Sequence, residues 1–263
     1  MFTEAEVQEK KESKASFYEA EYYQPYFNVD TKEFLVRLLR SLWPFSSGFF
    51  EHVKENPDLW GPFWIATSLI FLMTVTGNLA NYFNAVIQGR AADWAPDLQK
   101  LPWAAIAIYG YLGVLPLIFW IVFKCKKIPI SLIQFYCIYG YSLFIYLPIA
   151  VTHSKYKRFS NILISIPPKK VISIFSIGKL SWLSWLLIMS ACAWSTLFLV
   201  VNFYFTIKPH SNSLLILLLP IILCSVGLAL AFKFYLFQFP IFTSPTTAPT
   251  AAPTTAPSLA PGF

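Results

Sequence analysis

Acidic side chains all but vanish after residue 62. Residues 1–62 hold eleven Asp/Glu against seven Lys/Arg, whereas residues 63–263 hold two against thirteen. Histidine is scarce as well: His52, His153 and His210 are scattered through expected loops, none at ligand or triad spacing from a partner. No metal site, catalytic residue or cofactor site is therefore expected, and the chain reads as a non-enzyme. Cys125, Cys137, Cys192 and Cys224 show neither paired nor metal-ligand spacing, which excludes a disulfide framework. Cys125, flanked by Lys124 and Lys126, has a juxtamembrane setting in which S-palmitoylation occurs, with plain burial as the alternative. Residues 1–16 mix acids and bases without an apolar core, so no signal peptide is read there.

What the chain has in abundance is apolar length, with 56% hydrophobic and 18% aromatic residues. Five stretches reach the ~20 residues that a helix needs to cross the hydrocarbon core of a bilayer. They run from Phe63 to Ile87, Leu101 to Phe123, Ile128 to Val151, Trp182 to Tyr204 and Leu214 to Phe239. The fold class is an all-α membrane protein, a five-span transmembrane helical bundle within residues 63–240, with the bilayer as a partner. An odd number of spans puts the two termini on opposite sides. These spans contain no Asp, Glu or His, and Lys233 alone is ionisable well inside one, where snorkelling to the interface is the expected behaviour. Lack of membrane carboxylates argues against proton coupling and intramembrane hydrolysis. The net charge of +7 does not point to nucleic acid, because six of the thirteen later basic residues, Lys155, Lys157, Arg158, Lys169, Lys170 and Lys179, fall in one stretch.

Residues 1–62 form a separate polar region. Met1 to Ser16 has the composition of a disordered segment. An aromatic cluster follows, Phe17, Tyr18, Tyr22, Tyr23, Tyr26 and Phe27, and then Asp30 with Glu33 three residues later, the pattern of a capping box. The helix expected from Thr31 to Trp43 is amphipathic. Phe34, Leu35, Leu38, Leu39 and Leu42 form its apolar stripe, and Lys32, Glu33, Arg37, Arg40 and Ser41 its polar face. That stripe has three possible destinations: the bilayer surface with the arginines toward phosphates, the bundle itself, or a partner protein. Within the spans, Gly110, Gly113, Gly140 and Ser142 read as small positions for close helix approach, and the surrounding tyrosines as interhelical hydrogen bonders. Asn78 and Asn81 share a helix face and read as interhelical glue, or as the wall of a polar cavity. Residues 241–263 are rich in Thr, Ala and Pro without a charge, the composition of a disordered tail.

Three segments resemble the Yip-domain family, multi-span Golgi membrane proteins known for binding Rab GTPases and for vesicle transport. Phe17 to Thr31, FYEAEYYQPYFNVDT, is similar to the stretch before the amphipathic helix in the branch containing family members one and two. Asp58 to Ile65, DLWGPFWI, resembles the family's signature at the start of the first span, with Trp60 for the usual Tyr, and Tyr139 to Pro148, YGYSLFIYLP, resembles its third-span signature. The resemblance implies a cytosolic N-terminus, a lumenal C-terminus and tail, residence in the Golgi membrane, and Rab GTPases and other Yip-domain proteins as partners. It marks Asp58, Leu59, Gly61, Pro62, Tyr139, Gly140, Tyr141 and Ser142 as interaction or structural residues. The chain departs from the pattern at 152–180, where a basic segment of about thirty residues replaces a short connection and Pro167, Pro168, Lys169 and Lys170 prevent a sixth span. It reads as an anomalous insertion, since it carries six of the eight basic residues on the presumed lumenal side against eight on the other. A transporter, channel or lipid scramblase is the alternative reading, its path lined by the asparagines and intramembrane tyrosines.

Overall fold

The computed structural model describes residues 23–43, 48–165, 169–207 and 214–236. The expectations for Met1 to Ser16, for Phe17, Tyr18 and Tyr22, and for the 241–263 tail lie outside these residues. Eight helices carry the described chain: α1 (Thr31–Ser41), α2 (Gly48–Glu55), α3 (Trp60–Ile87), α4 (Lys100–Cys125), α5 (Leu132–Ser142), α6 (Tyr146–Ser165), α7 (Lys169–Ile207) and α8 (Leu214–Ala231). A 3-10 turn at Gln24–Phe27 precedes them. A π-helical turn at Phe232–Leu236 continues α8.

Among the described residues, five helical stretches are long and apolar enough to span a membrane: Trp60–Ile87, Leu101–Cys125, Leu132–Lys155, Leu183–Ile207 and Leu217–Phe234. Spans one and two form an antiparallel hairpin whose loop is pinned by Asn78. The Asn78 side-chain oxygen accepts from the Asp97 backbone N–H at 2.7 Å, and its amide donates to the Asp97 carbonyl at 2.8 Å. Asn78 therefore holds the loop and not a neighbouring helix. Spans two and three meet through the turn at Lys126 and Lys127, the latter left-handed with φ 58°. Span three begins at Leu132, later than expected, because Ser131 and Gln134 form a complete capping box.

The third span is broken, where the sequence predicts one continuous helix. Pro148 explains the break: it has no N–H to donate and its ring clashes with the carbonyl four residues back, at Phe144. The Tyr146 N–H turns to the Leu143 carbonyl at 3.0 Å, and the freed Ser142 carbonyl accepts from the Ser195 hydroxyl of span four at 2.9 Å. A polar side chain thus repairs a backbone bond that no water could reach.

The basic segment does not interrupt the fold at Thr152. His153 and Ser154 are buried, and Ser154 donates to the Thr76 carbonyl of span one at 3.1 Å. The packed part of span three reaches Lys155. Beyond it, α6 runs on to Ser165 and α7 starts at Lys169, so the extra residues prolong spans three and four as helices.

Rings pack the core toward the end of the bundle where span three begins. Phe135 and Phe203 stack at 4.9 Å, Phe123 meets Phe135 edge-on at 5.1 Å, and the Tyr139 ring lies among Tyr111, Phe119 and Phe203. Gly110 and Gly113 contribute no close approach, since a methyl group at either would meet nothing within 4 Å. They face outward from the described helices.

Candidate functional site

Asp58 is the centre of the site. It stands just before span one, is buried, and accepts from four directions. Its Oδ2 takes the Gly61 backbone N–H at 2.8 Å, which caps the first turn of α3, and the Tyr141 hydroxyl at 3.2 Å. Its Oδ1 faces the Arg37 guanidinium in a buried ion pair and the Cys137 thiol at 3.2 Å. Arg37 in turn binds Glu33 one helical turn earlier and donates to the Asn56 carbonyl at 2.6 Å. Burial disfavours the charged guanidinium, but Asp58, with Cys137 and Glu33, outweighs that penalty and raises the Arg37 pKa above its ordinary value. Burial, with Arg37 and Arg40 nearby, lowers the pKa of half-buried His52, 3.5 Å from Glu33.

The two signatures read in the sequence come together here. A Cβ added to Gly140 would lie 2.3 Å from Pro62 Cβ and 2.6 Å from Pro62 Cα. One added to Gly61 would lie 2.2 Å from the Tyr141 hydroxyl oxygen. Spans one and three thus cross backbone to side chain with no room for a methyl group. Leu59 donates its N–H to the Tyr26 carbonyl at 2.9 Å, tying the aromatic segment to the same corner. Ser142 donates to the Tyr139 carbonyl at 2.7 Å. Tyr139 stands apart from Asp58 and packs by its ring.

The α1 helix forms where expected, but its docked face is rotated and takes in Arg37 and Ser41 beside Phe34 and Leu38. Asp30 occupies the cap position without a side-chain cap bond, and Glu33 is engaged by Arg37 instead of completing a capping box. Arg37 and Ser41, assigned to the polar face, are buried. Of the apolar stripe, Phe34 and Leu38 pack against the core and Leu42 is half-buried, whereas Leu35 and Leu39 are exposed. The sequence carried one signal for this: Asp58, before a span, requires a cation, and Glu33 and Arg37 have i, i+4 spacing. The Cys137 contact had no such signal.

A second polar cluster lies at the opposite end of the bundle and corrects one expectation. His153 is inside the third helical span and not in a loop, with its Nε2 2.7 Å from the Ser184 hydroxyl. Lys233, second from the end of the fifth span, donates to the same hydroxyl at 2.9 Å, at the start of the fourth span, and lies 5.0 Å from the Trp185 ring centroid. Of the tyrosines, Tyr109 bonds Thr67 at 2.8 Å and Tyr136 donates to the Gly113 carbonyl at 3.2 Å, as expected of interhelical bonders.

The Yip1 domain matches residues 40–231. The chain is 40% identical over 227 residues to "Protein YIPF1 homolog" of Dictyostelium discoideum, a match covering 86% of this chain and 58% of that protein. It is 31% identical over 125 residues to "Protein YIP5" of Schizosaccharomyces pombe, covering 48% of this chain and 49% of the relative. The corresponding figures for "Protein YIP5" of Saccharomyces cerevisiae are 27% over 145 residues, 49% and 46%. The chain thus spans about half of the length of these relatives. No solved structure matches it. With the family's domain covering most of its length and five helices fit to span a membrane, the chain belongs to the Yip1 domain family of multi-span membrane proteins.

Proposed function

We propose that the protein acts without catalysis as a trafficking factor of the Golgi membrane, with its N-terminus cytosolic and its C-terminus lumenal. It serves as a scaffold for prenylated Rab GTPases and other Yip-domain proteins. The observation that carries this reading is the Asp58 cluster. It locks the N-terminal region to spans one and three by an ion pair and hydrogen bonds, and so holds the exposed Glu51, Lys54 and Glu55 in a fixed relation to the membrane. A fixed charged surface beside a bilayer suits recognition of a membrane-tethered protein, since tethering supplies effective concentration and the surface supplies selectivity.

The transporter reading has less support. Asn78, the best candidate for a polar path, is spent on the Asp97 backbone, and the Tyr139 and Tyr141 rings sit in packed surroundings.

The test is purification of the tagged full chain from cells in mild detergent, alongside an Asp58→Asn variant, with bound proteins identified. The reading expects Rab GTPases and Yip-domain proteins with the parent and fewer with the variant. A parent that retains neither class, or that resides outside the Golgi, overturns it. Epitopes before Phe17 and after Phe263, probed after selective permeabilisation of the plasma membrane, test the orientation.

A further inference from the structure

The α1 helix leaves part of its apolar side uncovered while it buries two polar residues. Its buried positions are Arg37 and Ser41, while Leu35, Val36, Leu39 and Trp43 are 52%, 40%, 67% and 63% exposed. At about 100° per residue these four fall in one sector opposite the docked face. An aqueous setting would leave all of that apolar area unburied.

The depth of α1 supplies the explanation. The Leu42 carbonyl, directly after α1, accepts from Trp194 Nε1 at 3.1 Å, and Trp194 is the twelfth residue of the 25-residue fourth span. The Phe34 ring lies 6.4 Å from that of Tyr141, tenth in the third span, and Phe49 of α2 meets Phe198, tenth from the end of the fourth, at 4.9 Å. At 1.5 Å per residue, these contacts lie roughly 13–20 Å inside the span ends on that side. Other helices turn apolar side chains outward at this level. Cys192 Sγ approaches the Ser225 carbonyl at 3.7 Å, which puts Leu223, 62% exposed, beside Trp194 in height.

Span one makes room for this. Pro62 is level with Gly140, so Trp60 starts about six residues short of the beginning of span three at Leu132. Phe49, Phe50 and Val53 of α2 are buried in the resulting notch, and α1 covers it from outside. The irregular backbone there is satisfied as membrane depth demands: Arg37 takes the Asn56 carbonyl and Asp58 takes the Gly61 N–H. The arginine charge is neutralised within the protein.

We propose that α1 lies within the leaflet on the N-terminal side of the bundle, with Leu35, Val36, Leu39 and Trp43 against lipid acyl chains and Arg37 facing Asp58 instead of a lipid phosphate. Lys32 and Arg40, both exposed, extend their stems toward the headgroups.

The test places a nitroxide at Leu39→Cys of the full chain, with Cys125→Ser removing the exposed native thiol, in phosphatidylcholine liposomes. The parent without the added cysteine is labelled in parallel. Relaxation is measured with oxygen, which concentrates in acyl chains, and with a neutral nickel chelate, which stays in water. Labels at Leu223→Cys and Lys54→Cys give the lipid and water references. Position 39 is expected to follow position 223, with oxygen collisions several-fold above nickel collisions. A nickel-favoured signal like that of position 54 would put the helix in water. Suppression by neither reagent would mean that a protein, a second copy or another, covers the face. Either result overturns the proposal, and Trp43→Cys repeats the measurement should the first variant fail to fold.

Discussion

The two ends of the bundle solve the problem of buried polarity by different means. At the N-terminal end a full charge pair, Arg37 with Asp58, is completed by Gly61, Tyr141, Cys137, Glu33 and Asn56, and three separate segments depend on it. At the other end the bonds are neutral or one-sided: Asn78 holds a loop backbone, Ser154 a carbonyl, and Ser184 links His153 to Lys233. A paired charge stripped of its partner is far costlier than a hydrogen bond unmade, so the first end should behave as one unit and the second as separable parts.

The sharpest way to break that contrast is at Asp58. Asp58→Ala leaves the buried Arg37 without its counter-charge and should cost about 3–5 kcal/mol, read as a large fall in the thermal midpoint of the full chain in detergent. A companion Arg37→Met in the same chain should recover part of the loss, and strict additivity of the two would mean that the pair is not coupled.

Next in size is the edge of the basic segment. Removal of 156–180 should leave the bundle's stability unchanged, whereas removal of 152–180 also takes His153 and Ser154 and should cost about 2–3 kcal/mol, the order of one or two buried bonds left unmade. Equal midpoints for the two deletions would contradict the structure.

Gly140→Ala should follow at about 1–3 kcal/mol, because a methyl group pressed on Pro62 must separate two backbones. Gly113→Ala, in open space, should match the parent. At the far end, Asn78→Leu should cost about 1–2 kcal/mol through the two lost bonds to Asp97, with partial rescue by water. Protease sensitivity of the 88–99 loop would report it.

The smallest effect is that of pH. The lowered pKa of His52 means that its neutral form is favoured in the fold. Its contribution is therefore full above the ordinary histidine value and fades as pH falls through the lowered one. A slight drop in midpoint between neutral and mildly acid pH, absent in His52→Gln, is the expected result.

Reading the chain as a sequence recovers the spans, since apolar length has few other meanings; the family resemblance marks Gly61 and Tyr141, which meet Asp58, but neither Arg37 nor Cys137, which also do. It misses the rotation of α1 that turns Arg37 and Ser41 inward and leaves Leu35 and Leu39 outside. Amphipathicity identifies an apolar side, but it assumes that the alternative to protein is water. Where the alternative is lipid, Leu39 gains nothing by turning inward, while Arg37 must find Asp58. The break at Leu143 was written in Pro148, four residues after the carbonyl it displaces. The contact of His153 with Ser184 depends on how two helices align across 31 residues of chain, which no local pattern encodes.

The separation between Asp58 and its later partners also sets a clock. Cys137 and Tyr141 follow it by 79 and 83 residues, and at ~5–20 residues per second the ribosome needs roughly 4–16 s to make that stretch. Through that interval Asp58 has Arg37 and no lining of its own in the membrane, so the N-terminal region must wait at the water boundary while the first hairpin inserts. Its arrival in the notch is then a late assembly step, gated by the emergence of span three. A chain stalled before Cys137 would expose α1 and α2 to any chaperone or protease on that side.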